Sequence, residues 1–152
     1  MDIGKYLRDQ GVAFETHKHR PAYTAQEVAA EEHVSGDVIA KAVVVQADGQ
    51  FAICALPASY KVDMAKVGKL LGAKSVRLAE ESEMAQLFPN MEVGAEPPMG
   101  NLWDMPTLVD EHLAADEEIV FQAGTHRDSI RMRYADYEQL THPKVADLAV
   151  HL

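Results

Sequence analysis

The spacing of apolar and polar positions predicts that short strands and helices alternate along the chain. Two β-rich runs, residues 38–47 (VIAKAVVVQA) and 50–56 (QFAICAL), are joined by Asp48-Gly49, a pair typical of a tight hairpin turn. Shorter alternating or apolar runs predict further strands, or strands followed by turns, at residues 12–17, 75–79, 102–105, 107–113, 118–124 and 129–134.

Helical spacing separates these strands. The sequence Thr24-Ala-Gln-Glu27 is a capping box, in which a hydroxyl and a carboxylate satisfy free amides at a helix start. The helix that it opens is expected to run through His33 and to end near Ser35-Gly36. Other helices are predicted at residues 3–10 (ended by Gly11), 62–71 (ended by Gly72), 80–88 (ended by Pro89), 134–140 and 143–151.

Strands and helices in this order predict an α/β fold. Because several neighbouring strands are linked as hairpins, we expect a mixed sheet with helices packed on it, and not a strictly parallel array. No internal repeat, low-complexity tract or linker interrupts the 152 residues. We therefore expect a single domain over residues 1–152.

Composition indicates the cellular compartment in which the protein is expected. The longest uncharged apolar run, AVVVQA, is far too short to span a bilayer, and the charged N-terminus does not resemble an export signal. Cys54 is the single cysteine, which excludes an internal disulfide and favours a reducing compartment. We expect a cytoplasmic protein with no membrane partner.

The net charge of −10 argues against broad nucleic-acid binding, because phosphate contacts need clustered cations, and we expect no DNA partner. The charge is uneven, however. Acidic residues concentrate at 80–83 and 110–118, whereas basic residues gather at Lys18, Arg20, Lys41 and within 127–133. A polyanion would therefore meet only part of the surface.

Lys41 is the first candidate for chemistry. It is the one charged residue in VIAKAVVV, a strand expected to be buried on both faces. Burying an unpaired ammonium costs several kcal/mol, so its head group needs a cavity, a carboxylate or an anionic ligand. Snorkelling to the strand end or a structural ion pair is one interpretation, and a point charge for a phosphate or carboxylate is the other.

Two Gly-containing turns are further candidates. The loop GAEPPMG, residues 94–100, has glycines at both ends and two rigid prolines, and such a loop can direct main-chain N–H groups at a carbonyl oxygen. The triplet Gly124-Thr125-His126 follows the apolar strand EIVFQA, a position common in ligand sites. Either segment could also be an ordinary turn.

Metal and cofactor chemistry have no support in the sequence. His17 and His19 would share one face of a strand, but a metal site needs a third ligand, and nothing ties His33 or His126 to them. Ser59 and Ser129 lack the context of an activated nucleophile. No dinucleotide or nucleotide-triphosphate loop occurs. We expect no metal and no cofactor.

Taken together, these stretches resemble the YbaK / prolyl-tRNA synthetase-associated family of aminoacyl-tRNA deacylases. The resemblance rests on an early His-x-His followed by residues 22–27 (AYTAQE), on Lys41 in AKAVVV, on the loop Gly94-x-x-x-Pro98-x-Gly100, and on residues 121–126 (FQAGTH). It extends from about Gly11 to the C-terminal segment. It implies a compact α/β domain built on a mixed, strongly curved sheet.

The resemblance also implies roles for residues. Lys41 would engage the terminal nucleotide or the substrate near its ester, and the backbone from Gly94 to Pro98, with Gly100, would position the aminoacyl carbonyl. Catalysis would be assisted by a group of the substrate itself and would need no metal. Substrate contacts are expected from His19, Tyr23, Thr24, Glu96, Met99, Gly124, Thr125 and His126, and the amino-acid pocket could be lined by Met99, Tyr23, Cys54 and Phe121.

Two residues of the loop depart from the family pattern. Pro97 adds a second proline, which narrows its shape. Glu96 could either clash with a phosphate or bind the α-amino group of the substrate.

We therefore predict an aminoacyl-tRNA hydrolase that acts in trans on the acceptor end of a mischarged tRNA, with an aminoacyl-tRNA synthetase as a second candidate partner. One alternative is a catalytically silent module that binds a synthetase or a nucleotide, and the acidic surface favours it slightly. Another is hydrolysis of a different activated ester, such as an aminoacyl adenylate.

Overall fold

The computed structural model of the protein describes residues 1–32 and 35–152. Within these ranges it has six α-helices: α1 Ile3–Asp9, α2 Ala25–Glu32, α3 Met64–Leu71, α4 Glu81–Leu87, α5 Glu111–Ala114 and α6 Tyr134–Thr141. A 3₁₀ helix covers Gly100–Trp103. The strands are β1 Phe14–Lys18, β2 Ala40–Ala47, β3 Gln50–Pro57, β4 Tyr60–Val62, β5 Val76–Leu78, β6 Thr107–Asp110, β7 Glu118–Gln122, β8 Asp128–Arg133, β9 Lys144–Ala146 and β10 Ala149–His151.

The largest sheet has the strand order β5-β2-β3-β6-β9 and is mixed. Strands β2 and β3 form the predicted hairpin, and its turn residues Asp48 and Gly49 have φ angles of 48° and 88°. Both angles are positive, as the tight hairpin turn requires. Strand β6 runs parallel to β3 and to β9. The prediction of an α/β fold with a mixed sheet is confirmed.

A second, antiparallel sheet has the order β1-β8-β7, and a third pairs β10 with β4. The first two sheets join just before β2, where Ile39 bridges Val120 of β7 and the Val120 amide donates to the Val38 carbonyl at 3.0 Å. This junction brings the start of β2 beside the end of β7.

Separate hydrophobic clusters stabilise the two larger sheets. One cluster packs α1 and α6 against β7 and β8, with Leu7, Phe121 and Tyr137 fully buried. Another packs α3 on the five-stranded sheet and contains Cys54. Burying each large apolar side chain contributes roughly 1.5–3 kcal/mol. The same burial raises the pKa of the Cys54 thiol to about 12, so it is an inert packing residue.

Three sequence-based predictions are wrong. Residues 102–105 are not a strand, because this segment belongs to the 3₁₀ helix and its end. Residues 143–151 form β9 and β10 instead of a helix, because β6 and β4 offer them strand partners. The helix predicted from Val62 begins at Met64, after β4 and the capping residue Asp63.

The hydroxyl half of the predicted capping box is confirmed, since the Glu27 amide donates to Thr24 Oγ1 at 3.1 Å in the first turn of α2. The Glu27 carboxylate accepts from the Thr24 hydroxyl at 3.2 Å instead of from a main-chain amide. The predicted end of this helix at His33 lies outside the described residues. Among the helices of residues 1–32 and 35–152, none has the length and apolarity needed to cross a bilayer.

Candidate functional site

A cavity of about 180 Å³ opens where the two larger sheets join. Four segments form its walls: α2 with Tyr23, two residues before it, the start of β2, the loop at residues 94–100, and the end of β7. The lining residues are Tyr23, Ala25, Gln26, Val28, Ile39, Ala40, Lys41, Ala42, Gly94, Glu96 and Gln122. Sites for drug-sized ligands start at about 300 Å³, so this cavity suits a small group.

Lys41 is the cation of this cavity. It is the second residue of β2, opposite Leu56 of β3. Lys41 is half-buried, and burial lowers the pKa of its ammonium group, with no carboxylate of the described residues opposing the shift. A partly desolvated ammonium without a paired acid is ready to accept an anionic ligand.

Glu96 supplies a carboxyl group to the same cavity. The residue is 3% exposed, and neither of its side-chain oxygens accepts a well-formed hydrogen bond from the described residues. Burial raises the pKa of this carboxyl to about 7, although the main-chain amides of Glu96 and Gly94 partly oppose the rise. A buried acid without partners is rare in folded proteins and is a candidate for function.

The loop that carries Glu96 is held at several points. Gly94 has a φ of 86°, a left-handed conformation that favours glycine. The Gly124 amide donates to the Ala95 carbonyl at 2.8 Å, and the Tyr137 hydroxyl donates to the Pro98 carbonyl at 2.5 Å. The loop is thus tied to the turn after β7 and to α6, which fixes the orientation of its main-chain groups.

The C-terminal end of the loop turns away from the cavity. A Cβ atom on Gly100 would lie 2.4 Å from the Met105 carbonyl oxygen, so no side chain fits there. The Gly100 amide donates to Thr107 Oγ1 at 2.9 Å and is therefore not free for a ligand. Met99 is fully buried in the core cluster with Phe121. Both residues anchor the loop and do not line the cavity.

The turn after β7 lies behind the loop. The His126 ring donates its Nε2 proton to the Val93 carbonyl at 3.0 Å, because a carbonyl can only accept, and Nδ1 is then a buried acceptor without a partner among the described residues. Thr125 Oγ1 donates to Asp128 at 2.6 Å, and Gly124 has a φ of 98°. This turn positions His126 against the loop.

An aromatic pair forms the rim of the cavity. The Tyr23 and His126 rings lie 4.6 Å apart, centroid to centroid, and are tilted by 42°. Tyr23 is 65% exposed, an unusual state for a large aromatic residue. The exposed ring offers a flat surface beside the opening.

Two glutamines complete the polar lining, and the sequence-based reasoning missed them. Gln26 donates from Nε2 to the Ala58 carbonyl at 3.0 Å, and Gln122 donates from Nε2 to the Ala22 carbonyl at 2.6 Å. Their positions in the sequence were a signal, because Gln26 lies inside the capping box and Gln122 lies two residues before the Gly-Thr-His turn.

The structure thus brings Lys41, Gly94, Glu96 and Tyr23 together on one cavity, with His126 packed behind the rim. Other predicted site residues lie outside the lining. Thr24 caps α2, and the His19 ring bonds the Arg20 carbonyl through Nδ1 at 2.7 Å. Pro98, Gly100, Met99, Gly124 and Thr125 support the loop or the turn, and Cys54 and Phe121 lie in the two cores.

His17 takes part in a hydrogen-bonded cluster with Glu15 and Glu32, and none of the three lines the cavity. Its Nδ1 lies 2.7 Å from Glu32 and its Nε2 lies 3.1 Å from Glu15, and these hydrogen bonds raise its pKa, that to Glu15 most. Over residues 1–32 and 35–152, no three His, Cys, Asp or Glu side chains converge as metal ligands. His33, one of the candidate third ligands, lies outside the described residues.

Comparison of the sequence with known protein families gives a match that spans the cavity residues. The sequence profile of the aminoacyl-tRNA editing domain matches residues 19–140, a range that includes every residue lining the cavity.

Solved structures share the fold. A hypothetical protein superposes with a TM-score of 0.88 at 22% identity, covering 97% of this chain and 99% of its own. A candidate trans-editing enzyme for prolyl-tRNA synthetase has a TM-score of 0.86 at 24% identity, covering 97% and 94%. A candidate signal transduction protein from Marinobacter aquaeolei VT8 has a TM-score of 0.75 at 18% identity, and the match covers 30% of that longer chain.

Proposed function

The chain belongs to the aminoacyl-tRNA editing domain family, and from that membership we propose that it is an aminoacyl-tRNA deacylase acting in trans on a tRNA charged with a wrong, small amino acid. The resemblance inferred from the sequence is confirmed by the same match. The proposal adds a substrate size, a set of residues and a mechanism that needs no metal.

One observation carries the proposal: the partly desolvated Lys41 ammonium and the Gly94–Pro98 loop share one small cavity. An aminoacyl ester joins an acyl carbonyl to the terminal ribose, next to a phosphate. Lys41 would hold the phosphate or the ester oxygens by a charge-assisted hydrogen bond. The Gly94 and Glu96 amides would lie against the acyl carbonyl, where negative charge develops during hydrolysis, because the Ala95 amide donates to the Glu92 carbonyl at 3.0 Å and the two prolines have no N–H.

The reaction then needs no protein nucleophile. The oxygen of a water molecule forms a bond to the acyl carbon, the bond from that carbon to the ribose oxygen breaks, and the proton of the water passes to the ribose oxygen. The neighbouring ribose hydroxyl is positioned to relay that proton. Orientation within the cavity and one well-placed amide, which contributes about 3 kcal/mol or roughly a hundredfold in rate, supply the catalysis.

The dimensions of the cavity favour a small acyl group. A volume of about 180 Å³ must contain the acyl carbon, the amino group and the side chain together. Bulky aromatic amino acids would not fit beside Lys41 and Glu96. We therefore propose that amino acids with short side chains are the substrates.

The rim would hold the terminal nucleotide. Exposed aromatic rings bind unpaired bases by stacking, at about 1–3 kcal/mol per base. The Tyr23 ring, supported from behind by His126, has this geometry. Stacking on Tyr23 would place the 3′ ribose over the opening of the cavity.

The test is an incubation of the purified protein with a panel of tRNAs, each charged with a different amino acid. We expect release of one or more small amino acids at a rate well above spontaneous hydrolysis, and no acceleration for aromatic ones. Absence of release from every member would contradict the proposal.

The acidic surface supports a second candidate, a module that docks on a synthetase without catalysis. A net charge of −10 is better tolerated by a protein partner than by a tRNA. The same panel separates the two, because a docking module releases no amino acid. Including an aminoacyl adenylate in the panel tests for hydrolysis of other activated esters.

A further inference from the structure

Besides the Lys41 ammonium, three polar side chains of the cavity lining can offer hydrogen-bond acceptors: Gln26, Gln122 and Glu96. Gln26 and Gln122 each donate one side-chain N–H to a main-chain carbonyl, of Ala58 and Ala22 respectively. Each amide oxygen is then left without a donor from the described residues. Because an amide oxygen only accepts, both glutamines offer acceptors at the cavity wall.

Glu96 adds the third acceptor group and the negative charge. Only 3% of the residue is exposed, and neither carboxyl oxygen accepts a well-formed hydrogen bond from the described residues. Leaving such a group unpaired costs free energy, which a ligand with N–H donors would recover. Lys41 is not the missing partner of the Glu96 carboxyl, because burial alone lowers the pKa of Lys41 and no acid of the described residues raises it.

The complement of these groups is a compact cation with several N–H donors. We propose that Glu96, together with Gln26 and Gln122, binds the free α-ammonium group of the aminoacyl ester. The preferred substrates are then esters of amino acids with an unblocked amino group, and N-acylated or α-hydroxy acyl esters are cleaved more slowly. This inference rests on the proposed deacylase function and specifies its substrate class.

The position of Glu96 in the loop selects the α-ammonium over a side-chain group. Gly94 and Glu96 are two residues apart, and both line the cavity. In an aminoacyl ester the α-ammonium is attached to the carbon next to the acyl carbonyl. A loop that holds the carbonyl through its main chain therefore has Glu96 within reach of the ammonium, whichever side chain the amino acid carries.

The experiment compares three acyl groups on one tRNA: the amino acid that is cleaved best in the panel, its N-acetyl derivative, and the corresponding α-hydroxy acid. The α-hydroxy ester has nearly the same size as the amino ester, so it separates charge from steric exclusion. We expect the wild type to cleave the amino ester at least about tenfold faster than either analogue, because a charge-assisted hydrogen bond is lost.

Glu96→Gln should remove most of this preference. The variant should lose at least about tenfold in kcat/KM for the amino ester and little for the α-hydroxy ester. Gln26→Met, on an exposed part of α2, should reduce the preference by a smaller factor and serves as the second variant if Glu96→Gln does not fold. Glu118→Gln, an exposed carboxylate at the start of β7, is the matched control and should change neither rate.

The outcomes distinguish failure of the proposed deacylase function from failure of the proposed α-ammonium recognition. If the wild type releases no amino acid from any amino ester, the proposed function itself fails. If the wild type and Glu96→Gln cleave amino and α-hydroxy esters with the same ratio, the inference is overturned while the deacylase function stands. A variant that changes the ranking of different side chains, but not the ratio of amino to α-hydroxy ester, would also overturn it.

Discussion

At the scale of single residues, the site is built from two opposite charges that share a small cavity. Lys41 and Glu96 both line it, and burial shifts the pKa of each towards the neutral form. Each group therefore costs stability in the empty protein and gains a partner when a ligand with the opposite charge enters. Stability and function should respond in opposite directions when either charge is removed.

Lys41→Met tests this for the cation. The variant keeps an apolar stem but lacks the ammonium that would hold the ester, so we expect a loss of at least about a hundredfold in kcat/KM for deacylation. Its thermal midpoint should be equal to or higher than that of the wild type, because the desolvated charge is gone. Lys61→Met, an exposed lysine of β4, is the control and should leave activity unchanged. Full activity of Lys41→Met would remove the lysine from the mechanism.

Glu96→Gln tests the acid through the pH dependence of stability. The pKa of Glu96 is raised from 4.5 to about 7, so the folded protein keeps a proton that the unfolded chain loses in this range. The free energy of unfolding of the wild type should therefore fall by roughly 3 kcal/mol relative to Glu96→Gln as the pH rises from about 4 to 8.

Denaturant unfolding of both proteins at a series of pH values measures this difference. The glutamine cannot ionise, so the variant should be the more stable protein at pH 8 and lose that advantage below pH 4.5. Glu118→Gln should follow the wild type throughout. Parallel curves for wild type and Glu96→Gln would mean that the carboxyl is not desolvated in the folded protein.

At the scale of elements, the loop at residues 94–100 combines two kinds of glycine. Gly94 needs its positive φ but has open space, since an added Cβ would meet only His126 Cε1, at 3.8 Å. Gly100 has no space at all, with the Met105 carbonyl oxygen 2.4 Å from the position of a Cβ. The first glycine sets the direction of the loop, and the second allows its close packing on the sheet.

Gly94→Ala should therefore affect turnover more than folding. Alanine at a positive φ costs about 1 kcal/mol, and the loop can relieve that strain by rotating its amides away from the acyl carbonyl. We expect turnover to fall at least about tenfold in single-turnover assays, with tRNA affinity nearly unchanged. Gly49→Ala is a matched control, because Gly49 has a φ of 88° in an open hairpin turn. It should lose similar stability and no activity.

Local signals explain which elements were predictable from the sequence. Asp48-Gly49 determines its own turn, and the hydroxyl of Thr24 determines where α2 begins, so both were predicted correctly. The C-terminal segment was not, because its structure depends on distant partners. Leu148 donates its amide to the buried Asp110 carboxylate at 3.1 Å, and Val145 lies beside Val109 of β6. Such long-range contacts override a helical pattern.

The candidate site was predictable where local sequence signals marked its residues, and not where distant contacts place them. Lys41 stood out because a charge in an apolar strand needs an explanation, and the Gly/Pro loop stood out by composition. The depth of Glu96 could not be inferred, since one charge in a turn usually faces solvent. Gln26 and Gln122 were also missed, because their anchoring carbonyls come from Ala58 and Ala22, far away in sequence.

At the scale of the whole molecule, the net charge of −10 limits contact with a polyanion. Several basic side chains are also engaged by neighbouring acids: Arg20 with Glu31 at 3.0 Å and Arg77 with Glu83 at 2.7 Å are examples. Recognition of a tRNA should then be confined to its acceptor end, with Lys41 as the main phosphate contact.

A truncated substrate tests this expectation. An aminoacylated minihelix that contains only the acceptor stem should be cleaved within about threefold of the full tRNA. The logarithm of the binding constant should change with the logarithm of salt concentration with a slope of about −1, against about −5 for a protein that neutralises six phosphates. A steep slope, or a large loss on truncation, would show that the tRNA body is bound as well.

The junction of the sheets at Ile39 and Val120 has a consequence for motion. The cavity takes Lys41 from the five-stranded sheet and Gln122 from the three-stranded one, so an occupant would touch both layers at the point where they meet. A ligand there would bridge the two sheets, so they could not move apart without losing contacts to it. Amide hydrogens of β7 and β8 should exchange more slowly with solvent deuterium when a non-hydrolysable aminoacyl nucleoside is bound. Unchanged exchange would mean that the two layers are already locked together.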